Sequence, residues 1–268
     1  MSTFLQAALL GVIQGVTEFL PVSSTAHLLI GERLLGFDDP GGVFTVMIQL
    51  GSIVAVVWLY RAKILGVIAG LPSKPSARRF ALMLAVAVLP ALVAGAVFGR
   101  FVTHVLYNVL AINGVTFVLG GIIILMIERS RPRATVHDVD RTPVGKALGI
   151  GVAQAVAIVP GVSRSGATIV GGLALGLDRA VATEFSFFLA MPTLTAAFVK
   201  SLWDVRHDIT AAQTTNIAIG FVMAFISSAL VIKPFLDYVR RSGFQAFAWY
   251  RIVAGAALLV AVAYGWGR

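Results

Sequence analysis

"QGVTEFLPVSSTAHL", residues 14–28, sets a glutamine, a glutamate, two threonines, two serines and a histidine around a proline, inside apolar sequence that runs from 4 to 36. Proline and a run of hydroxyl residues interrupt a helix, and an interruption within hydrocarbon exposes backbone groups that only protein or a water-filled cavity can satisfy. The pieces on either side of the break are about 11 to 17 residues long, short of the roughly 20 that cross a bilayer. The pattern therefore predicts a re-entrant pair of half-helices. The stretch 147–177 repeats it, broken near its middle by "VPGVSRSGAT", residues 159–168.

The surrounding sequence supplies a membrane domain. Of 268 residues, 58% are hydrophobic and 12% charged, where soluble domains carry about a quarter charged residues; the mean hydropathy is +0.92. Six stretches, 42–60, 80–100, 109–127, 182–203, 214–233 and 245–266, are long and apolar enough to span. The expectation is an all-α polytopic membrane protein, residues 1–268 forming one integral membrane domain. The first apolar stretch has neither a basic lead nor a small-residue cleavage site, so a signal peptide is not expected. The absence of cysteine excludes disulfides, thiolate metal sites and cysteine nucleophiles. The net charge of +9 comes from residues gathered between apolar runs, not on one face interleaved with aromatics, and nucleic acid is not an expected partner.

Those charges also set the topology. Arg61, Lys63, Lys74, Arg78 and Arg79 lie in 61–79; Arg129, Arg131, Arg133, Arg141 and Lys146 lie in 128–146; Arg240 and Arg241 lie in 234–244. Asp38 and Asp39 lie in 36–41, and Asp204, Arg206 and Asp208 in 204–213. Strict alternation of the six spans puts the basic loops on one side, which the positive-inside rule makes cytoplasmic. The first broken segment then enters from the periplasmic side and the second from the cytoplasm.

A shift of 140 positions superimposes Gly11 on Gly151, Gln14 on Gln154, Val22-Ser23 on Val162-Ser163 and Gly31 on Gly171. Each half holds one broken segment and three spans, and three is odd, so the second half is expected to be inverted. Residues 1–133 form the first repeat and 141–268 the second, a plan in which broken helices meet near the midplane and form the site.

Both breaks carry chemistry. Ser23, Ser24 or Thr25 can cap the helix that follows the first, and Ser163 or Ser165 the one that follows the second. Free N–H groups and the positive end of the dipole make each helix start an anion site. Arg164 adds a planar fork of donors suited to phosphate, with Thr168 one turn further on the same face. Glu18, with Gln14 one turn before it, can serve as general base, hold a divalent cation, or pair with Arg164. Gln14 can orient a water or a metal, or simply pack between helices. His27 stands three and four residues after Ser24 and Ser23, so either hydroxyl is expected within its reach. These groups suit phosphoryl transfer through a serine nucleophile or through an activated water. Glu184 and Arg251, in late spans, are expected to pair with each other. His104, His137 and His207 form no metal spacing, and the glycines around Gly120-Gly121 and Gly171-Gly172 read as close helix packing.

With both breaks in view, the chain resembles the undecaprenyl pyrophosphate phosphatase family, the bacitracin-resistance proteins of bacterial inner membranes. "QGVTEFLPVSSTAH" is similar to that family's (E/Q)-x-x-x-E motif with its following serines and histidine, and "PGVSRSGAT" to its P-G-x-S-R-S-x-x-T motif. "IQLGS" at 48–52, "EFSF" at 184–187 and "YR" at 250–251 extend the likeness over essentially the whole chain. The resemblance implies removal of the terminal phosphate of undecaprenyl diphosphate, which recycles the lipid carrier of peptidoglycan synthesis. It implies Glu18, Ser24, His27 and Arg164 as catalytic residues, with Gln14, Ser23, Thr25, Ser163, Ser165 and Thr168 binding substrate. It also implies a divalent cation, Mg or Ca, near Glu18, and no organic cofactor. Gln14 stands where many members carry a second glutamate; an amide supplies no charge, which shifts the acid and base work onto Glu18 and His27.

The implied partners are a polyprenyl diphosphate and membrane lipid, with a homodimer admitted. The implied location is the bacterial inner membrane, with the breaks open to the periplasm. A polyprenyl-phosphate flippase or transporter is the alternative, since inverted repeats with broken helices are a transporter plan. An intramembrane serine protease fits less well, because an arginine between two helix starts suits phosphate rather than a peptide.

Overall fold

The computed structural model describes residues 2–106, 109–130, 133–205 and 211–266, of which the side chains of 103–104, 204–205 and 211–212 are not described. Eleven α-helices are found among them: α1 Thr3–Thr17, α2 Ser24–Leu35, α3 Val43–Leu59, α4 Arg61–Gly70, α5 Pro75–Phe101, α6 Leu110–Ser130, α7 Val144–Ala155, α8 Arg164–Ala174, α9 Arg179–Val205, α10 Ala211–Ser242 and α11 Gln245–Ala263. The helices that carry α3, α5, α6, α9, α10 and α11 are long and apolar enough to cross a membrane. The chain is thus an all-α, multi-pass membrane protein. The pairs α1–α2 and α7–α8 are the two broken segments, and each of their helices is too short to span. Arg131, Arg206, His207 and Asp208 lie outside the described residues, as do the side chains of His104 and Asp204.

Two loop assignments are corrected. Residues 61–79 hold α4, because Ile64, Leu65, Val67 and Ile68 continue a helical apolar pattern after the basic Arg61 and Lys63. At ten residues it is about 15 Å long and cannot span. Residues 234–244 are mostly helix: α10 continues through Pro234 to Ser242 and stops at Gly243, whose φ of 69° is the left-handed geometry that ends helices. Arg240 and Arg241 therefore occupy the last turn of a helix, where cations complement its dipole.

The outward face is apolar. Leu82, Leu89, Val93 and Val97 on α5, and Val115, Leu119, Ile122 and Met126 on α6, are exposed at helical spacing, as expected where the solvent is hydrocarbon. Inside, small residues bring backbones together. A Cβ on Gly11 of α1 would stand 2.4 Å from the carbonyl oxygen of Gly220 on α10, and one on Gly151 of α7 would stand 2.2 Å from that of Ala87 on α5. The broken segments are thereby pressed against α10 and α5, and α6 lies along α11. Gly171 and Gly172 pack on Ala153 and Ala182, and Gly121 on the Ala248 carbonyl, while Gly120 makes room for the Arg251 guanidinium. Phe19 of the first break meets Phe187 of α9 edge-on with centroids 5.3 Å apart.

Candidate active site

The two breaks share an unusual backbone. Among the described residues, Ser23 (φ 68°) and Ser163 (φ 73°) are the non-glycine residues with positive φ. That conformation costs a residue with a Cβ roughly 1–2 kcal/mol. Each serine immediately precedes a helix, α2 or α8. Ser163 caps its helix as expected, its Oγ accepting from the Gly166 N–H at 3.1 Å. Ser23 sits at the matching place, but its hydroxyl makes no capping bond; its carbonyl instead accepts from His27 Nδ1 at 2.7 Å.

Glu18 is the hub. Its carboxylate is almost wholly buried, with 4% of the side chain exposed. Oε1 accepts from Arg164 Nη2 at 3.0 Å, and Oε2 accepts from Ser24 Oγ at 2.6 Å and Gln14 Nε2 at 2.8 Å. Gln49 Nε2 stands 3.5 Å from the same oxygen. The carboxylate thus joins the hydroxyl of the first break to the guanidinium of the second, and the expected i, i+4 pairing with Gln14 is present. Arg164 Nη1 donates to the Ser186 carbonyl at 3.1 Å, while its Nε is buried with no partner among the described residues.

A cavity of about 320 Å³ opens between the breaks, and Glu18, Ser23, Ser24, Thr25, Ser163, Arg164 and Ser165 all line it. Gln14, His27 and Thr168, expected in the same set, do not. Thr168 Oγ1 donates to Ser186 Oγ at 2.7 Å, and so buttresses the residue that holds Arg164. His27 does not reach a serine hydroxyl: a carbonyl can only accept, so Nδ1 carries the proton toward Ser23, and Nε2 accepts from Tyr250 OH at 2.5 Å. In this arrangement the group bonded to Ser24 Oγ is Glu18.

Beyond the Glu18–Arg164 contact, the breaks are tied to each other twice more. Ser165 Oγ donates to the Leu20 carbonyl at 2.6 Å. Arg251, fully buried on α11, donates to Pro21 O at 3.2 Å in the first break, to Gly161 O at 3.0 Å in the second, and to Thr116 O at 2.9 Å on α6. Four carbonyl dipoles, with Phe117 O as the fourth at 3.4 Å, surround it, and no carboxylate among the described residues reaches it. Its expected pairing with Glu184 is therefore corrected: α9 carries Glu184 to the end of the bundle that holds Lys63, Asp140 and Arg240.

The donor set does not fit a resident divalent cation. Among the described residues no three carboxylate, histidine or cysteine side chains converge, and both Glu18 oxygens already face donors, one of them a guanidinium. Hard cations need several oxygen ligands. The arrangement fits an oxyanion instead, offering a cation, hydroxyls on both walls and two helix starts.

Gln49, Gln154, Ser186 and Tyr250 join the site without having been singled out for it. Gln49 was legible as an amide inside an apolar span, and Gln154 as the counterpart of Gln14 at the 140-residue shift. Ser186 and Tyr250 lie in the "EFSF" and "YR" stretches that carry the family likeness, and their partners appear only once helices pack against distant segments.

A family model described as bacitracin resistance protein BacA matches residues 7–257. The chain is 45% identical over 260 residues to an undecaprenyl-diphosphatase of Paracoccus denitrificans (strain Pd 1222), covering 97% of each chain. It is 46% identical over 265 residues to undecaprenyl-diphosphatase 1 of Pseudomonas fluorescens (strain Pf0-1), covering 98% of this chain and 96% of that one. It is 46% identical over 263 residues to an undecaprenyl-diphosphatase of Dechloromonas aromatica (strain RCB), with the same coverage.

Proposed function

The chain belongs to the bacitracin resistance protein BacA family, and on that footing we propose that it hydrolyses undecaprenyl diphosphate to undecaprenyl phosphate and inorganic phosphate, recycling the lipid carrier of cell-wall synthesis. The observation that carries the chemistry is the Glu18 carboxylate, bonded at once to Ser24 Oγ at 2.6 Å and to Arg164 Nη2 at 3.0 Å.

The diphosphate enters the cavity with its terminal phosphoryl group toward Arg164, displacing part of the Glu18 contact and taking donors from Ser163, Ser165 and the α8 start. Ser24 Oγ attacks the terminal phosphorus and its proton passes to Glu18 Oε2. The bond from phosphorus to the bridging oxygen breaks, and that oxygen takes the proton from Glu18, which is a carboxylate again, and leaves on undecaprenyl phosphate. A water then attacks the phosphoserine, the phosphorus–Oγ bond breaks, and inorganic phosphate departs as Ser24 regains a proton. Arg164 stabilises the charge that builds on the equatorial oxygens in both steps. His27 fixes Ser23 and through it the start of α2.

The test is phosphate release by purified protein given undecaprenyl diphosphate in detergent. Release should be lost in Ser24→Ala and Arg164→Ala; release from the parent chain no greater than from Arg164→Ala would sink the proposal. Ser23→Ala as the dead variant would move the nucleophile.

The same reading takes the two halves as inverted repeats in a bacterial inner membrane, with the cavity open to the periplasmic side. It is supported by the positive-φ serines 140 positions apart and by the matching packing of α1 on α10 and α7 on α5. Single cysteines placed in 36–41 and 61–79 of this cysteine-free chain should label from opposite sides; labelling from one side would overturn the topology.

A further inference from the structure

Gln154 is buried, 3% exposed, among the side chains lining the cavity. Neither its Nε2 nor its Oε1 has a hydrogen-bond partner among the described residues. Its counterpart at the 140-residue shift, Gln14, donates to Glu18. The counterpart of Glu18 itself is Ile158, so the second half keeps the amide and lacks the carboxylate that would satisfy it. A buried amide without partners is costly and uncommon, and α7 offers it nothing.

What would satisfy both of its ends is informative. An ionised phosphate has only acceptors, so it can use the Nε2 donor but leaves Oε1 unpaired. A water can donate to Oε1 and keeps a second proton and a lone pair. The pair that satisfies the whole amide is therefore a phosphoryl oxygen together with a water. The terminal torsion of glutamine is soft enough to turn the amide into the cavity. We propose that Gln154 is a catalytic residue for the second half of the reaction: its Oε1 orients the water that attacks the Ser24 phosphoester while its Nε2 holds one phosphoryl oxygen. The water oxygen forms the new bond to phosphorus, the phosphorus–Oγ bond breaks, one water proton goes to the Glu18 carboxylate and on to Ser24 Oγ, and phosphate leaves. The assignment rests on Ser24 being the nucleophile.

Rapid-quench kinetics with undecaprenyl diphosphate labelled in its terminal phosphate tests it. Gln154→Leu, close in volume, should release undecaprenyl phosphate in a first burst of about one per site at the parent rate. Steady turnover should then fall about 100-fold, with label held on the Ser24 peptide after denaturation. Because Leu removes two unsatisfied atoms, the melting temperature should hold or rise while turnover falls, which a merely structural glutamine would not do. Near-normal steady turnover in Gln154→Leu overturns the assignment, as does a burst slowed in proportion to turnover, which would make the amide a ligand of the diphosphate alone. Label on the protein in neither the parent nor the variant sinks the Ser24 reading, and this assignment with it.

Discussion

At the scale of single residues, the geometry separates groups that the motifs leave together. Arg164 presents one edge to Glu18 and the other to the Ser186 carbonyl, an arrangement that needs a planar fork. Lysine keeps the charge and loses the second contact. Arg164→Lys is expected to lower kcat/KM about 100-fold, read by phosphate release; a loss under tenfold would mean that charge alone is enough. Ser23 and Ser163 hold the same strained backbone, but only Ser163 draws a cap from its hydroxyl. Glycine relieves the strain at both positions. Ser23→Gly should therefore stabilise the fold by about 1 kcal/mol, and Ser163→Gly by a few tenths less, because exchanging a serine cap for glycine costs only a few tenths of a kcal/mol. Thermal unfolding in detergent reads the difference. Equal shifts for the two variants would show that the Ser163 cap contributes nothing.

At the scale of helices, the broken segments are located by their neighbours. Gly151 lets α7 touch the backbone of α5, where a Cβ would lie 2.2 Å from the Ala87 carbonyl, whereas Gly95 on the same α5 has open space around it. Gly151→Val should destabilise by about 1–3 kcal/mol, whereas Gly95→Val should hold stability or raise it slightly, since valine is the better helix former; comparable losses would mean that this contact does not hold α7. The six spans, both breaks and the cavity wall of Ser23, Ser24, Ser163 and Arg164 could be read from sequence, because hydrophobic length and its interruption are local properties. The helical state of 61–70 and the run of α10 through Pro234 could not, because basic residues and a proline sit where helical periodicity in fact continues. The partners of His27 and Arg251 were not legible either. Whether an arginine on α11 faces α9 or the two breaks depends on how helices rotate about their axes, and one sequence does not state that. Thr168 was placed on the right face, but the neighbour waiting there is Ser186.

At the scale of the whole molecule, a buried cation without a carboxylate partner lies where both breaks and α6 meet. Arg251 satisfies one carbonyl from each break, so its removal leaves acceptors unpaired on both sides of the cavity at once. Arg251→Met should cost about 3–5 kcal/mol, the usual range for removing one member of a buried polar cluster, and should lower turnover even where the protein remains folded, as followed by detergent melting alongside phosphate release. Retained stability with retained activity would show that the Ser165–Leu20 and Arg164–Glu18 contacts suffice to hold the breaks together.

The position of that arginine also has a consequence in time. Membrane chains enter the bilayer in order of synthesis, and both breaks are in place long before residue 251 leaves the ribosome. Arg251 and Tyr250 lie on α11, which is made after both breaks. A nascent chain that has passed α10 thus holds every cavity-lining residue and yet lacks the arginine that donates to both breaks. A chain stopped after Ser242 should insert and remain inactive, and co-expression of the separate α11 segment should restore phosphate release.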